Sequence, residues 1–88
     1  MPWAYSFDDR ALAELQKLDR QAQKDIIAYL DKRVATTEDP RRFGKPLKAN
    51  LSGLWRYRVY DYRILCQIKD DELLVLVISV GHRKNIYD

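Results

Sequence analysis

Eighty-eight residues suffice for one domain with a small core, because a chain this short buries only a little over ~60% of its unfolded surface. With an ordinary 47% hydrophobic residues and abundant charged ones the chain is not expected to be disordered, and its longest apolar run, Leu73 to Val80, is far too short to cross a bilayer. The formal net charge of +3 lies wholly in residues 45–88, since residues 1–44 carry eight Lys/Arg against eight Asp/Glu, and a basic half of this kind fits a polyanionic partner.

Trp3 to Phe7 alternates weakly and predicts a short edge strand. Asp8 or Asp9 reads as a helix N-cap, followed at helical spacing by Ala11, Leu12, Leu15 and Leu18. Asp19 caps a second helix whose apolar face is Ala22, Ile26, Ile27, Leu30 and Val34. The two helices are expected to form an antiparallel hairpin that breaks near Asp19. The helical pattern fades at Thr36-Thr37, and Asp39-Pro40, Gly44 and Pro46 mark a loop made basic by Arg41, Arg42, Lys45 and Lys48. Leu47 to Leu51 reads equally as a short strand or a turn.

Beyond the Ser52-Gly53 turn, three strands are predicted: Leu54–Tyr60, Tyr62–Lys69 and Leu73–Val80. The first two form a hairpin that breaks at Tyr60-Asp61, and Asp70-Asp71 turns the chain into the third. That third strand is apolar on both faces, which places it in the sheet interior, with Gly81 as its end. Period two puts Trp55, Tyr57 and Val59 on one face of the hairpin with Tyr62, Ile64, Cys66 and Ile68. Arg56, Arg58 and Tyr60 fall on the other with Arg63, Leu65, Gln67 and Lys69, and of these Arg56, Arg58, Arg63 and Gln67 are expected to look outward on a common surface. Arg83 follows the last strand and is positioned to reach the same surface. Arginines on an exposed sheet face often do no more than solvate it. Here no acidic residue shares that face between Leu54 and Lys69 except Asp61 in the turn, and tyrosines are interleaved, so guanidinium groups for phosphate stand beside rings for bases.

Cys66 is the single cysteine and His82 the single histidine. An intrachain disulfide and a zinc set are both excluded, and a reducing compartment is expected. Cys66 falls on the apolar face and reads as a core residue. No basic segment followed by an apolar core opens the chain, so no signal peptide is predicted.

Leu54-Trp-Arg-Tyr-Arg-Val, Asp61-Tyr-Arg-Ile-Leu, Val77-Ile-Ser-Val-Gly-His-Arg83 and Ile86-Tyr87, with the opening Tyr5-Ser-Phe-Asp-Asp-Arg-Ala-Leu, closely resemble the RelE family of bacterial toxins. The resemblance covers essentially the whole chain, as one domain over residues 1–88. It implies an α+β fold, a two-helix hairpin packed on a small curved, mainly antiparallel sheet. It also implies a cytoplasmic endoribonuclease that cuts messenger RNA in the ribosomal A site, is held silent by a RelB-like antitoxin, and needs no metal or other cofactor. In such enzymes the RNA's own 2′-hydroxyl attacks the adjacent phosphate, and basic residues stabilise the added negative charge.

By this resemblance Arg56 and Arg58 match the two basic residues of the first hairpin strand, and Arg63 the phosphate-binding arginine of the next. Arg83 matches the arginine on the leaving side, and Tyr87 the tyrosine that stacks on a base near the scissile bond. Catalytic roles are therefore expected for Arg58, Arg63, Arg83 and Tyr87, and RNA binding for Arg56, Lys45, Lys48 and His82. The best-known members carry lysines where this chain has Arg56 and Arg58. An arginine does not give up its proton, so Arg58 is assigned charge stabilisation. The proton acceptor stays open, with His82 a candidate because imidazole titrates near neutrality. The ParE toxins share the fold and inhibit DNA gyrase without cutting RNA; they are the main rival reading, ahead of an RNA-binding module without catalysis.

Overall fold

The computed structural model describes residues 2–82. Its elements are β1 (Ala4–Phe7), α1 (Asp9–Gln16), α2 (Arg20–Arg33), β2 (Lys45–Pro46), β3 (Trp55–Val59), β4 (Tyr62–Lys69) and β5 (Leu74–His82). The five strands make one mixed sheet of order β1-β5-β4-β3-β2. All neighbours are antiparallel except β1 and β5, which run parallel from Ala4↔Leu74 to Phe7↔Val77. With two helices beside this sheet, the molecule is an α+β fold.

Both helices start where a carboxylate takes an orphan amide. Asp8 Oδ1 accepts from the Ala11 N–H at 2.8 Å, and Asp19 Oδ1 from the Ala22 N–H at 2.7 Å. Lys32 and Arg33 occupy the last turn of α2, where cations complement the helix dipole. Two-turn α1 buries only the strip Ala11–Leu15. Leu12, expected on the same face, is 43% exposed, because it sits about 100° round the helix from Ala11.

The core lies between the helices and one sheet face. Ile26 and Leu30 of α2 meet Tyr57, Ile64, Cys66, Val75 and Val77, all of them fully buried. Burying each large aliphatic side chain contributes roughly 1.5–3 kcal/mol. The strand predicted to end at Gly81 continues to His82, because Gly81 and His82 pair with Arg63 and Tyr62 of β4. A bulge lets β5 keep its apolar residues inside. Cys66 pairs with Val77 but Leu65 with Ser79, so Ile78 is extra, and Val77 and Val80 both face the core.

Glu14 of α1 closes the edge of β5 after β1 has left it. Its Oε1 accepts from both the Ser79 hydroxyl and the Val80 N–H, each at 3.0 Å. A strand amide that lacks a ladder partner is thereby satisfied by a side chain.

Tyr5 of β1 donates to Asp31 Oδ1 of α2 at 2.6 Å. Burial first, and then the hydrogen bond to Asp31 and its charge, push the Tyr5 hydroxyl from 10.0 up to about 12. Burial likewise raises Tyr29, Tyr57 and the Cys66 thiol. Each group is raised above its unfolded value, so the stabilisation it gives is complete below the unfolded value and fades as pH climbs through the folded one. Denaturant midpoints should therefore begin to fall near pH 9.0, the ordinary thiol value, and drop further through about 12, where Tyr5 titrates. Tyr5→Phe should flatten only the Tyr5 part of that decline. A profile unchanged up to pH 12 would refute this assignment.

Candidate functional site

Two cross-strand pairs of like charge define the second sheet face. In the β2–β3 register Lys45 lies opposite Arg56, and in the β3–β4 register Arg58 lies opposite Arg63. Like charges placed directly opposite each other are unfavourable in a sheet, and here three adjacent strands bring four cations together in two such pairs. Lys45, Lys48 and Arg58 are exposed, and Arg56 is half-buried. No carboxylate among the described residues lies within ion-pair distance of Lys45, Lys48 or Arg58.

Arg63 departs from the expectation of an outward-facing side chain: it is 6% exposed. It lies on the middle strand, with Arg58 on one side and Gly81 on the other. Leu65 and Ser79, the next pair along, are buried too, so the centre of this face is covered and its open part runs along β2 and β3.

The basic loop proves to be two populations. Arg41 makes a bidentate pair with Asp70, at 2.9 and 2.7 Å, and Arg42 binds Glu38 at 2.7 Å. The Arg41 guanidinium holds the Asp70 carboxyl below its usual range. These two arginines fasten the loop, leaving Lys45 and Lys48 as its open cations.

Where the sequence was equivocal between strand and turn, the structure has the two-residue strand Lys45–Pro46 and a single turn of 3-10 helix at Ala49–Leu51. Two aromatic side chains of β3 position this strand. Tyr57 Oη donates to the Pro40 carbonyl at 2.7 Å in a buried contact, and Trp55 Nε1 donates to the Phe43 carbonyl at 2.7 Å. Gly44 then passes so close to β3 that a Cβ would stand 2.3 Å from the Arg56 carbonyl oxygen, and its φ is +78°. Glycine is required here both by space and by backbone conformation.

The Phe43 ring lies beside this strand with the Arg33 and Arg42 guanidinium carbons 4.7 and 4.8 Å from its centroid. Sequence periodicity did not reveal this layer, since α2 and the loop meet only in the folded chain.

His82 lies on the other sheet face from Arg56, Arg58 and Arg63. It pairs with Tyr62 across β4–β5, with the two rings edge to face at 5.7 Å. Directly opposed residues share a face, and Tyr62 belongs to the helix-covered side. The register therefore does not bring His82 to Arg58. Arg83 and Tyr87 lie outside the described residues. No group of three His, Cys, Asp or Glu side chains among the described residues is placed to hold a metal ion, and no helix there is long and apolar enough to cross a membrane.

A family model described as the ParE toxin of the type II toxin–antitoxin system parDE matches residues 5–87. The chain is 31% identical over 87 residues to toxin RelG of Mycobacterium tuberculosis, spanning 99% of this chain and 98% of that protein. It is 33% identical over 90 residues to the mRNA interferase toxin RelE of Escherichia coli K12, spanning 96% and 86%. Among solved structures, a chain of the toxin–antitoxin complex RelBE2 from Mycobacterium tuberculosis is similar, with a TM-score of 0.85 at 28% identity over 97% of this chain and 95% of that one.

Proposed function

This chain belongs to the RelE/ParE superfamily of type II toxin–antitoxin toxins, and we propose that within it the chain is an mRNA endoribonuclease acting in the bacterial cytoplasm on messenger in the ribosomal A site. The observation that carries this reading is the pair of like-charge oppositions, Lys45–Arg56 and Arg58–Arg63, on one sheet face. A similar relative carries the name mRNA interferase, which supports the same activity.

In the proposed reaction the 2′-hydroxyl oxygen bonds to the adjacent phosphorus, its proton passes to a base, and the P–O5′ bond breaks. The products are a 2′,3′-cyclic phosphate and a 5′-hydroxyl, the leaving oxygen having taken up a proton. Exposed Arg58 holds the non-bridging oxygens as negative charge builds on them, buried Arg63 opposite it adds positive charge from behind, Arg83 acts on the leaving side and Tyr87 stacks on a flanking base. Arg56, Lys45 and Lys48 hold the RNA backbone on either side. Guanidinium groups do not act as the base, and no metal is used. A RelB-like antitoxin silences the toxin by laying a helix on it and bringing acidic residues to the cationic face.

Brief expression without a partner, followed by primer extension on translated messengers, tests this. Cuts within codons are expected. Product chemistry tests the mechanism independently: a 2′-deoxy or 2′-O-methyl group at the scissile nucleotide should block cleavage, and a 5′-phosphate product would overturn it. The match to the ParE model favours one alternative, inhibition of DNA gyrase. Supercoiling defects with intact messenger would establish that reading instead.

A further inference from the structure

Tyr60 is the first of the two residues that turn β3 into β4, between the paired Val59 and Tyr62. Its φ is +53°, at a position that two-residue hairpins usually fill with glycine or asparagine. The residue is 78% exposed. A bulky ring held in left-handed backbone, and not buried by the fold, strains the hairpin without any packing return. Such a residue invites a reading from what lies beside it.

Tyr60 borders a groove of about 440 Å³ between α2 and the hairpin. Arg58, Arg33 and Lys32 line the same groove, together with the rings of Tyr29 and Phe43. Asp25 is its one acidic lining residue among those described. Rings interleaved with cations suit single-stranded nucleic acid, whose bases stack while its phosphates are neutralised. Arg58 and Tyr60 are two residues apart along an extended chain, roughly 7 Å, a span that one nucleotide bridges from phosphate to base.

We propose that Tyr60 is a base-stacking residue, carrying on its exposed ring a nucleobase of single-stranded RNA adjacent to the phosphate held by Arg58. This rests on the nuclease reading and adds a contact to the same site. A protein partner could use an exposed tyrosine as well, but three cations against one carboxylate in the groove favour RNA.

The test compares Tyr60→Gly, Tyr60→Trp and Arg58→Ala in the full chain, released from its antitoxin. The probe is a fluorescein-labelled 12-nucleotide single-stranded RNA, fully 2′-O-methylated so that it is not cut, at low salt. Tyr60→Gly should bind about 10-fold more weakly, Tyr60→Trp should bind at least as well as the parent, and the thermal midpoint of Tyr60→Gly should equal or exceed the parent's because glycine relieves the strain. A purely structural role predicts the opposite thermal shift. Parent-like RNA affinity in Tyr60→Gly overturns the proposal, and so does loss of affinity that Tyr60→Trp fails to restore. If Tyr60→Gly keeps RNA but sheds antitoxin, Tyr60 is a protein contact and the proposal falls. Weak binding by Arg58→Ala beside parent-like binding by Tyr60→Gly would sink this proposal alone. Parent-like binding by both variants, or no binding by the parent, would sink the RNA reading of the face with it.

Discussion

Arg58→Ala should leave the fold intact and lower messenger cleavage at least ~10²-fold, the scale for removing one preorganised group that stabilises developing charge. Arg58 is exposed and sits opposite Arg63, so its removal opens no cavity. It also takes away a like charge placed directly opposite another across the strands, an unfavourable arrangement in a sheet. The unfolding midpoint should therefore stay level or rise while activity collapses. That opposition of signs distinguishes a functional arginine from one that merely solvates the sheet, whose loss would move neither quantity much. Primer extension in a reconstituted translation reaction, with thermal denaturation of the same preparation, reads both. A folded Arg58→Ala protein that still cuts at the parent rate would take Arg58 out of the reaction.

Gly44→Ala should be the most damaging single change to the framework of the site. The new methyl group would stand 2.3 Å from the Arg56 carbonyl oxygen and 2.7 Å from Trp55 Nε1. Neither can move aside cheaply: the first is backbone, and the second holds the Phe43 carbonyl. The left-handed φ of +78° adds its own strain. About 2–4 kcal/mol of stability should be lost, or roughly 10–20 °C in Tm for a domain of this size. Gly53→Ala provides the control. It shares a positive φ, +94°, but its Cβ would meet nothing within 4 Å, so about 1 kcal/mol is expected. If the two variants lose the same stability, the close approach of the loop to β3 is not what demands glycine. Because Lys45 follows Gly44 and pairs with Arg56, the same displacement should weaken RNA binding in whatever Gly44→Ala protein remains folded.

Features with a local cause were legible in the sequence. Asp8 and Asp19 announce their helices by the carboxylate that caps them, and the alternation through Trp55–Val59 and Tyr62–Ile68 sorts core face from cationic face residue by residue. What escaped depends on partners distant in sequence. No local period tells β1 that it will run parallel to β5. Lys45–Pro46, two residues with a proline, becomes a strand only because Tyr57 and Trp55 draw the loop onto β3. The extra residue at Ile78 interrupts a period that looked uniformly apolar, and Glu14 shows no sign in its own helix that it will serve a strand amide. The arginine face was visible in outline, but Arg63 was read as looking outward because alternation reports which side a residue faces, not how deeply it is buried there.

The parallel pairing of Ala4 with Leu74 also sets an order of events in synthesis. The strand translated first has no sheet to join until the codons for β5 have been read, and contacts this far apart in sequence make for late, slow closure. α1, which rests on β5 and lends it Glu14, must wait as well. A nascent chain that stops anywhere before β5 therefore lacks Val75, Val77 and Val80 of the core and leaves β1, α1 and one edge of β4 without the strand they pack on or pair with, so a toxin message interrupted upstream of that point yields a fragment whose cationic strands have no completed sheet to support them.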